Sequence, residues 1–294
     1  MIGPMLSLFS RRRVGLTVAG AAFAFAGVVG ARDDSTQCAA SPVLTSLSLH
    51  GKKALVFGGT SGIGLATSRM LADEGASVIA ISRDPSKAAE ATTVSGAAGN
   101  ISLAACDVRD RDAVEQLLAK HAPIDILISA ATGGTRAFGP FVQMDMDGYQ
   151  ASFDKLWGYA NVIRYGAPHL AADGSICVVS GAPARKPKQG QVALASVGAA
   201  VEQLVRAVAP EIAPRRINVV SPGIIDTPMF GPDGEGKAQK LAAATQTNLV
   251  PRPGAAEEVA QAILFVVMNR FVTGTTVDVD GGWLHGPRLS LIHI

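Results

Sequence analysis

A glycine cluster near residue 60 separates a short apolar run from a pattern typical of a helix. The run 54–57 is followed by Gly58, Gly62 and Gly64, after which apolar residues recur at helical spacing. A strand that turns through glycines into a helix directs unpaired backbone N–H groups and the positive end of the helix dipole at one point. That arrangement suits the pyrophosphate of a dinucleotide. The spacing G-x-x-x-G-x-G differs from the G-x-G-x-x-G motif and from a Walker A loop, which needs a following Lys-Ser or Lys-Thr pair.

Apolar runs alternate with helical patterns along the rest of the chain. This alternation predicts one α/β domain, built as a doubly wound, mostly parallel seven-stranded sheet with helices on both faces. At 294 residues, 48% of them hydrophobic, the chain is long enough to bury one large core. The weakly patterned segment 231–245 predicts a loop. The predicted strands are 54–57, 77–81, 101–105, 125–129, 175–179, 217–220 and 276–279, and the predicted helices are 64–74, 112–120, 149–170, 197–212 and 256–269.

The first 31 residues have the composition of a targeting or membrane-anchor segment. Arg11, Arg12 and Arg13 precede residues 14–31, which carry no charge. This pattern fits a bilayer span, a cleaved secretory or twin-arginine signal, or an organelle presequence. We expect a membrane-associated or organellar protein, with the mitochondrion favoured and export through a cleaved signal as the alternative.

The flanking segments set the expected domain limits. Residues 32–48 are polar and mixed, which predicts a linker, and the folded domain is expected to span 49–283. Residues 289–294 resemble a translated sequencing adapter. We therefore expect the tail 284–294 to be partly artefactual.

Charge and cysteine content exclude several function classes. The net charge is +2, and three of the positive charges are Arg11, Arg12 and Arg13, so no nucleic-acid-binding surface is expected. Cys38, Cys106 and Cys177 are too few and too scattered for a disulfide framework or a zinc site. Cys106 and Cys177 lie in or beside apolar runs and are predicted to be buried free thiols, and no metal site is expected.

Several separated motifs resemble the short-chain dehydrogenase/reductase family over residues 49–283. The glycine segment 57–64 is similar to the family motif T-G-x-x-x-G-x-G, with Phe57 in place of the threonine. Residues 106–108 resemble the Asp-Val pair that holds the adenine, and 216–227 resemble R-V-N-x-x-x-P-G-x-x-x-T, which closes over the nicotinamide. The resemblance implies a Rossmann-type fold. It also implies dinucleotide binding by Gly58, Thr60, Ser61, Gly62, Ile63, Gly64, Ser82, Arg83, Asp107, Val108, Ala130, Ala131, Pro222, Gly223, Ile225 and Thr227.

The end of the second predicted strand carries the expected choice of cofactor. Dinucleotide folds often place an acid there for the ribose 2′-hydroxyl, whereas a basic residue accommodates a 2′-phosphate. By resemblance Ser82 stands at the position of the acid, and Arg83 follows it. We therefore expect NADP(H) to be favoured over NAD(H).

The proton relay implied by the resemblance is absent from the sequence. The family uses a tyrosine, a lysine four residues later, a serine and an asparagine. A phenol titrates near ~10 and is a poor base at neutral pH until a cation lowers its pKa. The aligned positions hold Leu194, Gly198, Gly181 and Lys155. The chain is thus expected to be a divergent member without the usual catalytic residues.

Lys155 and Ser180 are the candidate catalytic residues that remain. Lys155 is expected to project from a helix towards the crevice, and Ser180 follows a central strand, where ligands of open α/β sheets bind. A desolvated lysine can titrate near neutrality and transfer protons. The alternatives are a surface lysine and a hydroxyl bonded to backbone. Arg185 and its basic neighbours are interpreted as a solvated loop.

Two functions fit these observations. One is an NADP(H)-dependent oxidoreductase that acts on a small carbonyl or alcohol through an atypical site. The other is a catalytically inactive, cofactor-binding accessory subunit of a membrane-associated complex. The resemblance also implies a possible homo-oligomer formed through the helical patterns 149–170 and 197–212.

Overall fold

The computed structural model describes residues 48–88, 99–132 and 134–286. Every predicted strand is present in this part of the chain. The strands are β1 Lys53–Phe57, β2 Ser77–Ser82, β3 Asn100–Ala105, β4 Ile124–Ser129, β5 Leu170–Val179, β6 Arg216–Pro222 and β7 Thr276–Val279. The helices are α1 Gly62–Asp73, α2 Arg111–Lys120, α3 Met146–Ser152, α4 Asp154–Gly166, α5 Val192–Ile212, α6 Glu235–Thr245 and α7 Ala256–Met268.

The strands form one parallel sheet in the order β3-β2-β1-β4-β5-β6-β7. The chain builds outward from β1 to β3 and then returns to place β4 on the other side of β1. The carboxyl ends of β1 and β4 therefore diverge into connections that run in opposite directions. Open α/β sheets bind ligands at such a switch point. The doubly wound fold is confirmed, and the sheet is parallel throughout the described strands.

Alternating side chains of the central strands pack into two cores on opposite faces of the sheet. Leu55 and Phe57 belong to a cluster that includes residues of α2, α4 and α5. Ala54 and Val56 belong to the other cluster, with residues of α1 and α7. Because both faces of β1 are covered, its sequence is continuously apolar instead of alternating.

The predicted helix 149–170 is wrong in its limits. The structure contains two helices that meet at Phe153, α3 and α4, and Leu170 already pairs with Ile124 as the start of β5. Pro168 explains the end of this helical region, since proline has no backbone N–H to continue the hydrogen-bond ladder. The residues between α4 and β5 form a short 3₁₀ turn instead.

The predicted loop 231–245 is also wrong, because α6 occupies most of it. This helix contains four alanines and two lysines, with one leucine, one glutamate and one glutamine, all residues of high helix propensity. Lys237 forms ion pairs with Asp226 at 2.6 Å and with Asp233 at 2.7 Å, which tie α6 to the segment that follows β6. Helix propensity therefore outweighs the weak hydrophobic period here.

In the described part of the chain, α5 is the one helix long and apolar enough to cross a membrane. Its buried residues Val201 and Val205 pack in the core beneath β5 and β6, which accounts for its apolar sequence. The predicted targeting segment 1–31 lies outside the described residues, as do residues 32–47 of the predicted linker and 287–294 of the predicted tail. Cys106 and Cys177 are buried free thiols, as expected.

Candidate functional site

A cavity of about 860 Å³ opens at the carboxyl edge of the sheet, above the ends of β1, β4 and β5. It brings together residues that are far apart in sequence. All sixteen predicted dinucleotide contacts line this cavity: Gly58, Thr60, Ser61, Gly62, Ile63, Gly64, Ser82, Arg83, Asp107, Val108, Ala130, Ala131, Pro222, Gly223, Ile225 and Thr227. The candidate catalytic residues Lys155 and Ser180 line it too.

The glycine turn is built by close backbone approaches. A Cβ on Gly58 would lie 2.7 Å from the Ala131 backbone nitrogen, and a Cβ on Gly64 would lie 2.0 Å from the Gly58 carbonyl oxygen. Gly62 has a φ of +48°, which glycine adopts without steric cost. Ser61 precedes α1, and its side chain makes no cap hydrogen bond. The first turn of α1 therefore presents free backbone N–H groups to an anion, as the sequence predicts.

The predicted adenine end carries a fixed carboxylate. Arg109 Nη2 donates to Asp107 Oδ2 at 2.8 Å, and Arg109 Nη1 donates to Asp154 Oδ2 at 3.2 Å. The hydrogen bond from the Arg109 side chain lowers the pKa of Asp107, and the charge of Arg83 contributes in the same direction. Asp107 is thus an ionised acceptor beside Val108, which suits the amino group of a purine.

The end of β2 fits a ribose or its phosphate. Ser82 Oγ is buried and has no hydrogen-bond partner within the described residues. Ser82 lines the cavity, although its Oγ is itself shielded from solvent, and Ser129, Ser175, Ser221 and Thr276 share the lack of a partner within the described residues. Arg83 is exposed on the rim of the cavity. Together with the glycine turn, these residues fit a dinucleotide.

The segment after β6 closes the other side of the cavity. A Cβ on Gly62 would lie 3.3 Å from Thr227 Cγ2, so this segment touches the glycine turn. Ile225 pairs with Gly254 in an isolated parallel bridge, and its side chain is buried. The contact places Pro222, Gly223 and Thr227 opposite the α1 N-terminus, where the resemblance expects the nicotinamide half of the cofactor.

Lys155 enters the cavity from α4. Its Nζ donates to the Ser180 carbonyl oxygen at 3.0 Å and lies 5.5 Å from the centroid of the Tyr159 ring. The residue keeps partial solvent contact through the cavity, but the ammonium group is surrounded by protein. Burial, with a smaller contribution from the charge of Arg136, lowers the pKa of Lys155 to about 7. An amine with this pKa can donate or accept a proton at neutral pH.

Two residues at this end of the cavity were missed by the sequence analysis, Tyr159 and Arg136. Tyr159 is fully buried, and its hydroxyl donates to the Val179 carbonyl oxygen at 3.0 Å. Burial raises the pKa of Tyr159, so its phenol stays protonated at neutral pH. The spacing Lys155-x-x-x-Tyr159 places both residues on one face of α4, and this was the signal available in the sequence.

Ser180 belongs to a buried polar network. Its hydroxyl donates to Glu202 Oε1 at 3.0 Å, and Glu202 is only 2% exposed. Glu202 Oε2 lies 3.4 Å from Arg185 Nε and 3.3 Å from Arg206 Nη2. The Lys155 ammonium contacts the carbonyl oxygen of Ser180, while the Ser180 hydroxyl donates to Glu202. This geometry favours a positioning role for Ser180.

Arg185 is exposed, as expected of the basic loop, but it also forms specific ion pairs. Besides Glu202, its guanidinium binds both carboxylate oxygens of Asp278 in β7. The hydrogen bond to Asp278 raises the pKa of Arg185. Arg185 thus joins the segment after β5 to β7. Because Arg185 and Asp278 are 93 positions apart, the local sequence could not predict this ion pair.

The helix that resembles the family's catalytic helix is α5. Leu194 and Gly198 of this helix line the cavity, as does Gly181, which precedes the turn that packs against Gly198. A Cβ on Gly198 would lie 2.9 Å from Ala184 Cβ, so Ala184 fills the space beside it. The sequence of α5 contains neither tyrosine nor lysine. Among the described residues, no cluster of histidine, cysteine or acidic residues could hold a metal ion.

Comparison with known proteins gives consistent matches. Residues 58–284 match the family described as enoyl-(acyl carrier protein) reductase. The chain is 35% identical to the 3-oxoacyl-[acyl-carrier-protein] reductase FabG of Thermotoga maritima over 251 residues, covering 80% of this chain and 98% of that protein. It is 29% identical to the L-xylulose reductase of Bos taurus over 246 residues, covering 81% and 98%.

A solved small-chain dehydrogenase in complex with NADPH is similar in structure, with a TM-score of 0.68 and 28% identity over 80% of this chain and 99% of that one. The parallel sheet, the order of the motifs and these matches agree. The chain therefore belongs to the short-chain dehydrogenase/reductase family of oxidoreductases.

Proposed function

We propose that this protein is an NADP(H)-dependent oxidoreductase that acts on a small carbonyl or alcohol, with Lys155 as its proton donor and acceptor. The observation that carries the proposal is the position of the Lys155 amine. It lies at the end of β5, bonded to the Ser180 carbonyl at 3.0 Å, with a pKa of about 7. A proton-transfer group is thus available where the usual tyrosine is absent.

The preference for NADP(H) rests on Ser82 and Arg83. The Ser82 hydroxyl lacks a partner, and Arg83 adds a positive charge at the rim, next to the place where a 2′-phosphate would lie. Asp107 follows Cys106, whose backbone N–H donates to the Ser82 carbonyl, and it is held by Arg109. A 2′-hydroxyl alone would leave the charge of Arg83 without a ligand partner.

When bound, the nicotinamide dinucleotide supplies the hydride for carbonyl reduction or accepts it in alcohol oxidation. In reduction, the substrate carbon gains this hydride, and Lys155 gives one proton of its ammonium group to the carbonyl oxygen. Lys155 is left as a neutral amine and regains a proton from solvent. The Ser180 carbonyl orients the amine throughout, and Glu202 fixes Ser180 by accepting its hydroxyl proton.

Tyr159 supports this site without supplying the proton. Its hydroxyl is already committed to the Val179 carbonyl, and its raised pKa makes it a poor acid and a poor base at neutral pH. Its ring lies beneath the Lys155 ammonium, where the face of an aromatic ring attracts a cation. Tyr159 therefore helps to hold Lys155 in place.

The test is turnover of aldehydes, ketones and quinones by the purified full chain, followed as NADPH oxidation. Lys155→Met should lower kcat by about 10²–10⁴-fold, the usual contribution of general acid–base catalysis, without weakening NADPH binding. Lys120→Met is the matched control, because Lys120 is exposed on α2 and outside the cavity. Tyr159→Phe should retain most of the activity.

A second candidate function is the catalytically inactive accessory subunit, and the absence of tyrosine and lysine from α5 favours it. NADPH binding by the wild-type chain with no turnover of any compound in the panel would replace the first proposal with this one. The uncharged segment 14–31 supports association with a membrane or import into a mitochondrion. Cell fractionation of the full chain with a C-terminal tag tests that location.

A further inference from the structure

Arg136 is a cation inside the cavity that the proposed proton transfer does not use. It lies in the connection between β4 and α3 and lines the same cavity as Lys155. Its position is close enough for its charge to contribute to the lowered pKa of Lys155. Two positive side chains therefore share the end of the cavity where the chemistry is proposed to occur.

No carboxylate among the described residues neutralises this pair. Asp107 is the single acidic residue that lines the cavity in the described chain, and it is bound to Arg109 at the adenine end. Asp154, the acid next to Lys155 in sequence, is also bound to Arg109. Glu202 is occupied by Ser180, Arg185 and Arg206.

The contact that Arg136 does make supplies no negative charge. Its Nη2 lies 2.8 Å from Met229 Sδ, and a thioether sulfur is a weak hydrogen-bond acceptor. The remaining N–H donors of the guanidinium are left for solvent or a ligand. Partial burial in the cavity lowers the pKa of Arg136, and no anion among the described residues offsets this effect.

The surroundings of Arg136 are apolar. Phe138, Met229 and Phe230 line the cavity and are 62%, 54% and 40% exposed. Leu194 and Trp283 also line the cavity. A ligand that covers these side chains gains hydrophobic energy, whereas a purely hydrophilic ligand such as a free sugar leaves them in contact with water.

From this arrangement we propose that the substrate of the site is an oxo acid or hydroxy acid with an apolar body, and that Arg136 binds its carboxylate. The guanidinium offers two parallel N–H donors, the geometry that a carboxylate accepts. The carbonyl or hydroxyl of such a substrate then lies towards Lys155, while its apolar body contacts Phe138 and Phe230. In the reductive direction the oxo acid gains a hydride from NADPH and a proton from Lys155, and it leaves as the hydroxy acid.

This inference rests on the proposed function for the reaction but not for binding. The binding probe is phenylacetate, a carboxylate with an apolar body and no reducible carbonyl, compared with its neutral methyl ester. Titration into the NADP⁺-loaded full chain should give tighter binding of phenylacetate than of the ester. Arg136→Met should lower the affinity for phenylacetate by at least about 10-fold, which corresponds to the loss of one charged hydrogen bond. Arg136→Lys should restore part of the loss.

Turnover provides a separate readout. Phenylpyruvate and benzoylacetate should each be reduced with a higher kcat/KM than their methyl esters. In Arg136→Met this discrimination between acid and ester should fall by at least about 10-fold. Arg111→Met is the control, because Arg111 is exposed at the start of α2 and outside the cavity. Carboxylate binding without turnover supports the anion site and contradicts the proposed catalysis.

Three results would overturn the inference. The first is equal binding of phenylacetate and its ester by the wild-type chain. The second is unchanged binding of phenylacetate by Arg136→Met. The third is a loss of NADPH affinity in Arg136→Met comparable with the loss of phenylacetate affinity, which would assign Arg136 to a phosphate of the cofactor.

Discussion

Lys155 Nζ donates a hydrogen bond to the Ser180 carbonyl oxygen, 3.0 Å away, and this bond fixes an amine at the carboxyl end of β5. No carboxylate in the described chain forms an ion pair with this amine. Its environment is formed by the Ser180 carbonyl, the ring of Tyr159 and the positive charge of Arg136. The carbonyl and the ring attract the ammonium form, but burial and, to a smaller extent, the charge of Arg136 favour the neutral amine, which is why the pKa of Lys155 falls from the usual range of lysine to about 7.

The pH dependence of carbonyl reduction should report this pKa. Reduction needs the protonated form of Lys155, so kcat should be high below about pH 7 and fall as the pH rises through that value. Alcohol oxidation needs the neutral amine and should show the opposite slope. Arg136→Met removes one of the charges that lower the pKa, and it should move the falling limb of reduction to higher pH. A flat profile across neutrality would contradict the role of Lys155.

The same group should make stability depend on pH. Above about pH 7 the folded state has lost the Lys155 proton, while the unfolded state keeps it until its ordinary pKa of 10.5. The unfolded state binds more protons in this window, so the contribution of Lys155 to stability rises with pH. Lys155→Met should accordingly be more stable than wild type at about pH 6, and this advantage should shrink towards about pH 9. Urea unfolding at several pH values measures the difference, with Lys120→Met as a control that should show no such trend.

The hydrophobic pattern was sufficient to predict the sheet, because strands buried on both faces are continuous apolar runs. The limits of the helices were less predictable. The helical period of 149–170 runs through Phe153, where the structure divides it into two helices, and α6 has almost no apolar period at all. The glycine turn was also predictable, because its backbone segments approach so closely that only glycine, which has no Cβ, fits there.

The residues at the proposed acid–base end of the site could be predicted only in part. Lys155 was proposed through the resemblance, because it occupies a position where the family has asparagine. Arg136 lies in an irregular connection whose sequence has no hydrophobic period. Glu202 faces the core from its position in the helix, but glutamate is a residue type that usually lies on the surface. Their importance comes from partners 93 and 22 positions away, Met229 and Ser180, and no local pattern encodes such distances.

Arg83→Ala should reduce the preference for NADPH. The variant loses the positive charge beside Ser82, so its affinity for NADPH should fall by about 10-fold or more, the value of a charge-assisted hydrogen bond, while NADH affinity changes little. Titration with both cofactors measures the ratio. Arg111→Met should leave this ratio unchanged. Equal affinities of the wild-type chain for NADPH and NADH would contradict the assignment of the 2′-phosphate to this end of the cavity.

Glu202→Ala should affect both stability and the rate. Removal of the carboxylate leaves the Ser180 hydroxyl without its acceptor and takes away a shared partner of Arg185 and Arg206. Since both arginines remain partly exposed, we expect a loss of about 2 kcal/mol, below the cost of breaking a fully buried pair. Glu257→Ala, an exposed substitution on α7, is the stability control.

A positioning role for Glu202 also predicts a change that stability alone would not produce. When Ser180 is released, its carbonyl should hold Lys155 less firmly, so kcat should fall more than the KM for the carbonyl substrate rises. Glu202→Gln keeps an acceptor for the Ser180 hydroxyl and should restore most of kcat. If Gln lowers kcat as much as Ala does while the protein remains folded, the charge and not the hydrogen bond to Ser180 is what matters.

Gly64→Ala should abolish dinucleotide binding, because its Cβ would lie 2.0 Å from the Gly58 carbonyl oxygen and would push the glycine turn away from α1. The matched control is Gly236→Ala near the start of α6, where an added Cβ meets no atom within 4 Å. The control should keep cofactor affinity and gain about 0.4–1 kcal/mol of stability, since alanine has less conformational freedom in the unfolded chain. Cofactor titration and thermal unfolding of both variants measure these effects. Wild-type affinity in Gly64→Ala would mean that the dinucleotide does not rest on this turn, because the displaced N–H groups could no longer meet its phosphates.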